Sequence, residues 1–115
     1  MPFRQLTTTE RQIIERLLER YFSGRDAILE QIKNSLVKTI DENGSLKFKV
    51  KAGPKANVKR RIPVEAESED VDGVTIHLLL HVVDGKVDEL EIYKDDSSRV
   101  VKMPEPKDLR LLKLG

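Results

Sequence analysis

The sequence predicts an α+β fold, with two N-terminal helices packed on one face of an antiparallel sheet of four or five strands. Three observations predict it. Before about residue 35 the apolar residues recur at helical spacing; after it they alternate with a period of two. The strongest apolar stretch, residues 74 to 93, is interrupted by Asp84-Gly85, the signature of a β-hairpin. A chain of 115 residues has room for one domain and one core. The expected division is a helical segment over about 8–35, a sheet over about 36–94 and a partly irregular tail over 95–115.

The first helix opens at Thr7-Thr8-Thr9-Glu10, where Thr7 and Glu10 have the spacing of a capping box. Ile13, Ile14, Leu17, Leu18, Tyr21 and Phe22 then form one apolar stripe, and Ser23-Gly24 ends it. A second, shorter helix starts near Arg25, with Ser23 as its expected cap and Ile28, Leu29, Ile32 and Leu36 on its buried side. It runs into the strand-like Leu36–Ile40, followed by the turn signal Asp41-Glu42-Asn43-Gly44.

Residues 45–52 alternate cleanly, with Leu46, Phe48, Val50 and Ala52 on one face and Lys47, Lys49 and Lys51 on the other. Gly53-Pro54 breaks this strand, and Val58–Ala66 reads as its partner, with Lys59, Arg61, Glu65 and Glu67 outward. Pro63 cannot donate to a ladder, so that strand belongs at an edge or is irregular. An acidic turn over 68–73 leads into the central hairpin. In the tail, Val100-Val101 suggests a short extension, Pro104 and Pro106 oppose regular structure, and Leu109, Leu111, Leu112 and Leu114 are expected to dock on the body.

Two registers compete for the hairpin. A two-residue Asp84-Gly85 loop pairs Leu79 with Leu90 but leaves Leu78 facing Glu91. A three-residue Val83-Asp84-Gly85 loop with a glycine bulge pairs Leu78 with Leu90, Ile76 with Ile92 and His77 with Glu91. The hydrophobic pattern favours the second. Ile76, Leu78, Leu80, Val82, Leu90 and Ile92 then face the core, while His77, Leu79, His81, Glu89, Glu91 and Tyr93 face outward.

Composition narrows the chemistry. The chain has no Cys, which removes disulfides, thiol nucleophiles and Cys-ligated metals. No apolar run approaches the roughly 20 residues of a membrane span, and the first residues lack a signal-peptide pattern, so a cytoplasmic protein is expected. Net charge is +1, which by itself selects no partner.

Several stretches resemble a family of small bacterial proteins of unknown function. They are Phe22-Ser23-Gly24-Arg25-Asp26, Ile62–Glu67, Asp70–Val74, Leu79–Gly85 and Glu89–Tyr93, the last two forming an "LLHVxDGxxxELEIY" hairpin motif. The resemblance covers roughly residues 10 to 107. Lys94 stands where the family usually has Arg, and Asp95-Asp96-Ser97-Ser98 lacks the usual Gly. The resemblance supports the fold and implies no activity, substrate or catalytic residue.

Three constellations compete for function. His77, His81, Glu89, Glu91 and Tyr93 would line a pocket if the outer face were concave, with a His–Glu pair for acid–base work. The plainer reading is a solvated sheet face with a His77–Glu91 cross-strand pair. A metal is not expected, because His77 and His81 on one strand lie ~13 Å apart. No cofactor motif appears. Lys47, Lys49, Lys51, Lys59, Arg60 and Arg61 form a basic stretch that suits a polyanion. Stacking aromatics are absent there, so nucleic acid is not favoured. The five acids of 65–72 follow the seven bases of 45–61, and such a dipolar surface fits a protein partner or self-association better. A non-catalytic interaction module is therefore the leading expectation.

Overall fold

The computed structural model describes residues 2–112, and the α+β architecture is the one expected. Helices α1 (Thr8–Leu17) and α2 (Arg25–Lys33) precede six strands: β1 (Ser35–Thr39), β2 (Leu46–Val50), β3 (Val64–Glu69), β4 (Thr75–Val83), β5 (Lys86–Lys94) and β6 (Arg110–Leu111). The spatial order is β1-β2-β5-β4-β3-β6, and every pairing is antiparallel. The sheet thus has more strands than the four or five expected, because the tail adds β6 to the β3 edge. Leu109 is buried and Leu111 and Leu112 half-buried, while Leu114 lies outside the described residues.

Both helices lie on one face. Ile13, Ile14, Leu17 and Leu18 of the first helical segment and Ile28 and Ile32 of α2 join Leu46, Phe48, Ile76, Leu78, Leu80, Leu90 and Ile92 in one buried cluster. Burial alternates along β4 without a break, so its odd-numbered side chains lie on the opposite face.

α1 opens with the expected capping box but is shorter than its apolar stripe. It stops at Leu18, and Tyr21, expected in the stripe, is 77% exposed. The reason lies downstream: Arg25 Nε donates to the Leu18 carbonyl at 2.6 Å and satisfies an end group of the helix. Gly24, at φ +95°, makes the turn between the helices, and a Cβ there would meet Val58 Cγ1 at 2.8 Å. Gly24, not Ser23, is the cap of α2, and Ser23 Oγ donates to the Asn57 carbonyl instead. Leu36 belongs to β1 rather than to the buried side of α2.

The segment 58–63 is not a strand. It runs through bends, and β3 begins only after Pro63. β2 pairs with β1 and β5, never with β3, so the expected basic hairpin does not form. In the tail, Val100-Val101 forms no strand, and Pro106 starts a 3-10 turn over Pro106–Asp108. Proline is suited to the first position of such a turn, where its missing N–H costs nothing.

The central hairpin has a two-residue turn, with Asp84 at φ 52° and Gly85 at φ 76°, instead of the expected three-residue loop. An irregularity between His81 and Val82 then places Asp88 as an extra residue in β5. Beyond it, Leu80 pairs with Leu90, Leu79 with Glu91, Leu78 with Ile92 and His77 with Tyr93. The partners therefore differ by two residues from those expected, while the core-facing and outward-facing sets are as expected. Gln31, fully buried on α2, fixes this turn. Its Nε2 donates to the carbonyls of Pro54 and Gly85, both at 2.8 Å, and its Oε1 accepts from Val87 N at 2.9 Å.

Candidate functional site, the outer face of the sheet

Strand alternation brings His77, Leu79 and His81 of β4 and Glu89, Glu91 and Tyr93 of β5 together on the face away from the helices. Glu65 and Glu67 of β3 extend the face on one side, in register with Leu79 and His77. Lys47 of β2 extends it on the other, in register with Glu89. Lys38 and Lys49 continue it outward and sit over the Phe3 ring, with Nζ 5.0 Å and 5.6 Å from its centroid.

The histidine partnerships differ from those expected. His77 does not pair with Glu91. It stacks on Tyr93 with ring centroids 4.8 Å apart, and its Nε2 lies 2.5 Å from Asp95 Oδ1. Glu91 instead meets His81, whose Nε2 is 2.8 Å from Glu91 Oε1. Arg61 Nε points at His81 Nδ1 at 3.0 Å. A guanidinium only donates, so Nδ1 must accept, and the ring proton is placed on Nε2 toward Glu91. The two residue shift in register produces this exchange of partners.

Donor atoms of His81, Glu89 and Glu91 lie within 4.8 Å of one another, a spacing a metal ion could bridge. The chemistry around His81 fits an ion poorly. A metal-bound imidazole donates its other N–H to an acceptor, whereas here that nitrogen faces the Arg61 donor. An ion would have to displace Arg61 first.

Electrostatically the centre of the face is acidic. Burial, together with the carboxylates of Glu91, Glu65 and Asp95, pushes the Tyr93 phenol above its ordinary value. Glu65 and Glu89 are half-buried, and among the described residues their side-chain carboxylates take part in no hydrogen bond or ion pair. Glu69 is held below the ordinary carboxylate range by its hydrogen bond from Arg110.

Grooves lined by described residues include one of 290 Å³ between α1 and the sheet near Ile13 and Met103, one of 340 Å³ beside Phe48 and Asp88, one of 260 Å³ near Tyr21 and Leu112, and one of 410 Å³ beside Arg60 and Gly85. None of the four includes His77, His81, Glu89, Glu91 or Tyr93. Leu79 is half-buried on this face, opposite the helices.

The basic residues are dispersed. Lys47 Nζ bonds Asp88 Oδ1 at 2.6 Å. Lys49 lies over Phe3, and Lys51 follows the end of β2. Lys59, Arg60 and Arg61 occupy the bends before β3, with Arg61 turned onto His81.

A second polar cluster was missed by sequence reasoning. Lys94, at an inward position of β5, is buried to 1% exposure, with Nζ 3.0 Å from Asp70 Oδ2 and 2.6 Å from Asp72 Oδ2. Asp70 also accepts from the N–H groups of Val71, Val101 and Lys102. Burial alone would raise the Asp70 pKa. The N–H of Val101, the Lys94 ammonium and the other two N–H groups outweigh it and hold the carboxyl well below the usual range. Burial likewise opposes the Lys94 charge, but Asp72 and Asp70 keep its pKa raised. The cluster ties the tail to the β3–β4 turn, with Lys94 and Asp70 closed to solvent and Asp72 at its exposed edge, so it reads as structural. The signal was available: counting by two from Leu90 and Ile92 puts Lys94 inside, and a buried ammonium demands acids.

The chain belongs to the family described as Domain of unknown function (DUF6984), whose match spans residues 3–104. No curated protein and no solved structure matches it. No helix among the described residues is long and apolar enough to cross a membrane.

Proposed function

We propose that the chain is a non-catalytic protein-interaction module whose contact surface is the outer face of the sheet. The single observation that carries this reading is the uncovered face itself. Among the described residues, exposed Tyr93, half-buried Leu79 and the carboxylates of Glu65 and Glu89, which no side-chain hydrogen bond or ion pair engages, share the face opposite the helices. A single-layered sheet with apolar and aromatic groups outward gains by burying them against a partner. A centre of Leu and Tyr among charged groups has the make-up of an interface. The pocket reading is weaker, because acid–base catalysis by the His81–Glu91 pair would need an enclosed place for a substrate. The polyanion reading is weaker because its lysines and arginines are spread over two regions and partly engaged.

Quantitative capture from host extract tests this with three baits: the wild-type chain, an outer-face variant (Leu79→Lys with Tyr93→Lys) and a helix-face control (Glu15→Lys). A defined protein enriched on the wild type and control but lost on the outer-face variant supports the reading. Partners retained equally by all three baits refute it.

A further inference from the structure

We infer that the occupant of the outer face is an extended segment of another protein that carries Lys or Arg at alternate positions. The inference rests on the interaction reading above and adds the partner's chemistry. Its basis is the charge that remains on the face once every engaged group is set aside. Glu67 and Glu69 are taken by Arg110, Lys47 by Asp88, and Asp95 by His77. Around Leu79, over β3, β4 and β5, this leaves the carboxylates of Glu65, Glu89 and Glu91 against the one guanidinium of Arg61.

The register sets these three groups in order. Leu79 pairs with Glu65 on one side and Glu91 on the other, so two glutamates stand astride it, roughly 10 Å apart at ~4.8 Å per strand. Glu89 stands one row further along, opposite His81, and one of its oxygens lies within 4.8 Å of one of Glu91. Like charges this close repel, and a cation placed between them relieves the repulsion. His81 answers only one of the two, because its ring proton goes to Glu91 and its other nitrogen is occupied by Arg61.

The same arrangement decides the kind of cation. A metal ion would need a free lone pair on His81 and finds none. An ammonium or guanidinium group asks only for carboxylate oxygens, which accept. Leu79 lies between the two glutamates, where it takes the aliphatic stem of a long basic side chain, and exposed Tyr93 adds an aromatic surface beside it. Burial and the charges of Glu91, Glu65 and Asp95 raise the Tyr93 phenol, so the field of these carboxylates spans this part of the face. The rows of Leu79 and His81 are two residues apart along β4, roughly 7 Å at ~3.3 Å per residue. An extended segment laid along β4 repeats its side chains at that interval, so its residues i and i+2 reach the Glu65–Glu91 pair and Glu89 in turn.

Amide NMR of the labelled full chain, titrated with three probes, is the test. The probes are a blocked hexapeptide alternating threonine and arginine, the same peptide with glutamate in place of arginine, and spermine. The arginine peptide is expected to give saturable shifts at Leu79, Glu91 and Tyr93 at about 50 mM salt, and to lose them by about 500 mM. Glu65→Gln with Glu89→Gln is expected to raise its dissociation constant about fivefold, as the loss of two partly exposed ion pairs implies. Glu15→Gln on α1 is expected to leave it unchanged. Far-UV circular dichroism establishes that the variants are folded, and the two single substitutions, each expected to give a smaller rise, serve if the pair is not.

An arginine peptide that leaves the outer face unshifted overturns the inference, as does equal binding of the glutamate peptide or a constant indifferent to the glutamine pair. Spermine bound as tightly as the peptide assigns the face to a small polyamine, and outer-face shifts on concentrating the peptide-free chain assign it to a second copy; either result overturns the basic segment. Failure here is distinguishable from failure of the interaction reading. A protein lost on the outer-face bait but retained on a Glu65→Gln with Glu89→Gln bait leaves that reading standing and overturns the basic segment. Equal retention by every bait refutes both.

Discussion

Replacing Gln31 should destabilise the domain far more than its position on a helix suggests, because its amide holds the hairpin turn. Gln31→Leu keeps the approximate volume and removes three hydrogen bonds. Val87 N–H loses its partner in a buried setting, and such an orphan costs about 1–3 kcal/mol. The Gly85 carbonyl still accepts from Ala56 N at 2.8 Å, and Pro54 is exposed to water, so each adds about 1 kcal/mol or less. The expected total is about 2–4 kcal/mol, set against a folding free energy on the order of 10 kcal/mol for a domain of this size. Urea unfolding followed by far-UV circular dichroism measures it, with the slope of the transition checked for constancy.

Gln31→Glu sharpens the test. One carboxylate oxygen can still accept from Val87, but the other faces two carbonyl oxygens, so the ionised form is opposed. The protonated acid can donate to one of them. The folded-state pKa of this glutamate is therefore raised above its unfolded value, and its stability is retained at low pH and lost as pH rises. Gln31→Glu is expected to fall further below the wild type at pH 7 than at pH 5. A Gln31→Leu cost under about 0.5 kcal/mol, within the range of ordinary surface changes, or a pH-independent Gln31→Glu penalty would refute the bridging role.

Three further outcomes follow from the same geometry. Leu78→Ala, at a fully buried position, is expected to cost about 2–5 kcal/mol, and Leu79→Ala on the outer face about 1 kcal/mol or less; urea unfolding of both checks which face is the core. Asp70 has a depressed pKa in the folded chain, so its contribution is complete above the unfolded value near 4 and is lost as pH falls below it; the wild-type stability curve should descend below about pH 4, and Asp70→Asn should flatten that limb. At neutral pH, nitrogen NMR of the imidazoles should find His81 with its proton on Nε2 and the Nδ1 signal of an acceptor, whereas Arg61→Ala should release the ring into a mixture of tautomers.

Much of the fold was legible because its determinants are local or periodic. The Thr7–Glu10 capping box, the Ile13–Leu18 stripe and the alternation of residues 46–50 and 76–82 each encode an element and the face it buries. The hairpin partners were less legible. Hydrophobic alternation fixes only which face a side chain occupies, and registers two residues apart satisfy it equally. The extra residue at Asp88 converts the tight-turn register into such an alternative, so the outward set was right while His77 and His81 exchanged their expected partners. Long-range polar links were also hidden. Nothing near Arg25 in the sequence indicates that it ends α1, and nothing near Gln31 indicates that it binds the turn at Gly85. Arg61 read as one member of a basic stretch; the bends before β3 turned it onto a histidine.

The claim that the outer sheet face is the contact surface is tested most directly by amide NMR of the labelled chain titrated with the protein that the wild-type bait enriches. Shifts at His77, Leu79, Glu91, Lys47 and Glu65 are predicted, with the amides of α1 and α2 unchanged. Shifts confined to the helices or to the groove near Met103 would contradict it.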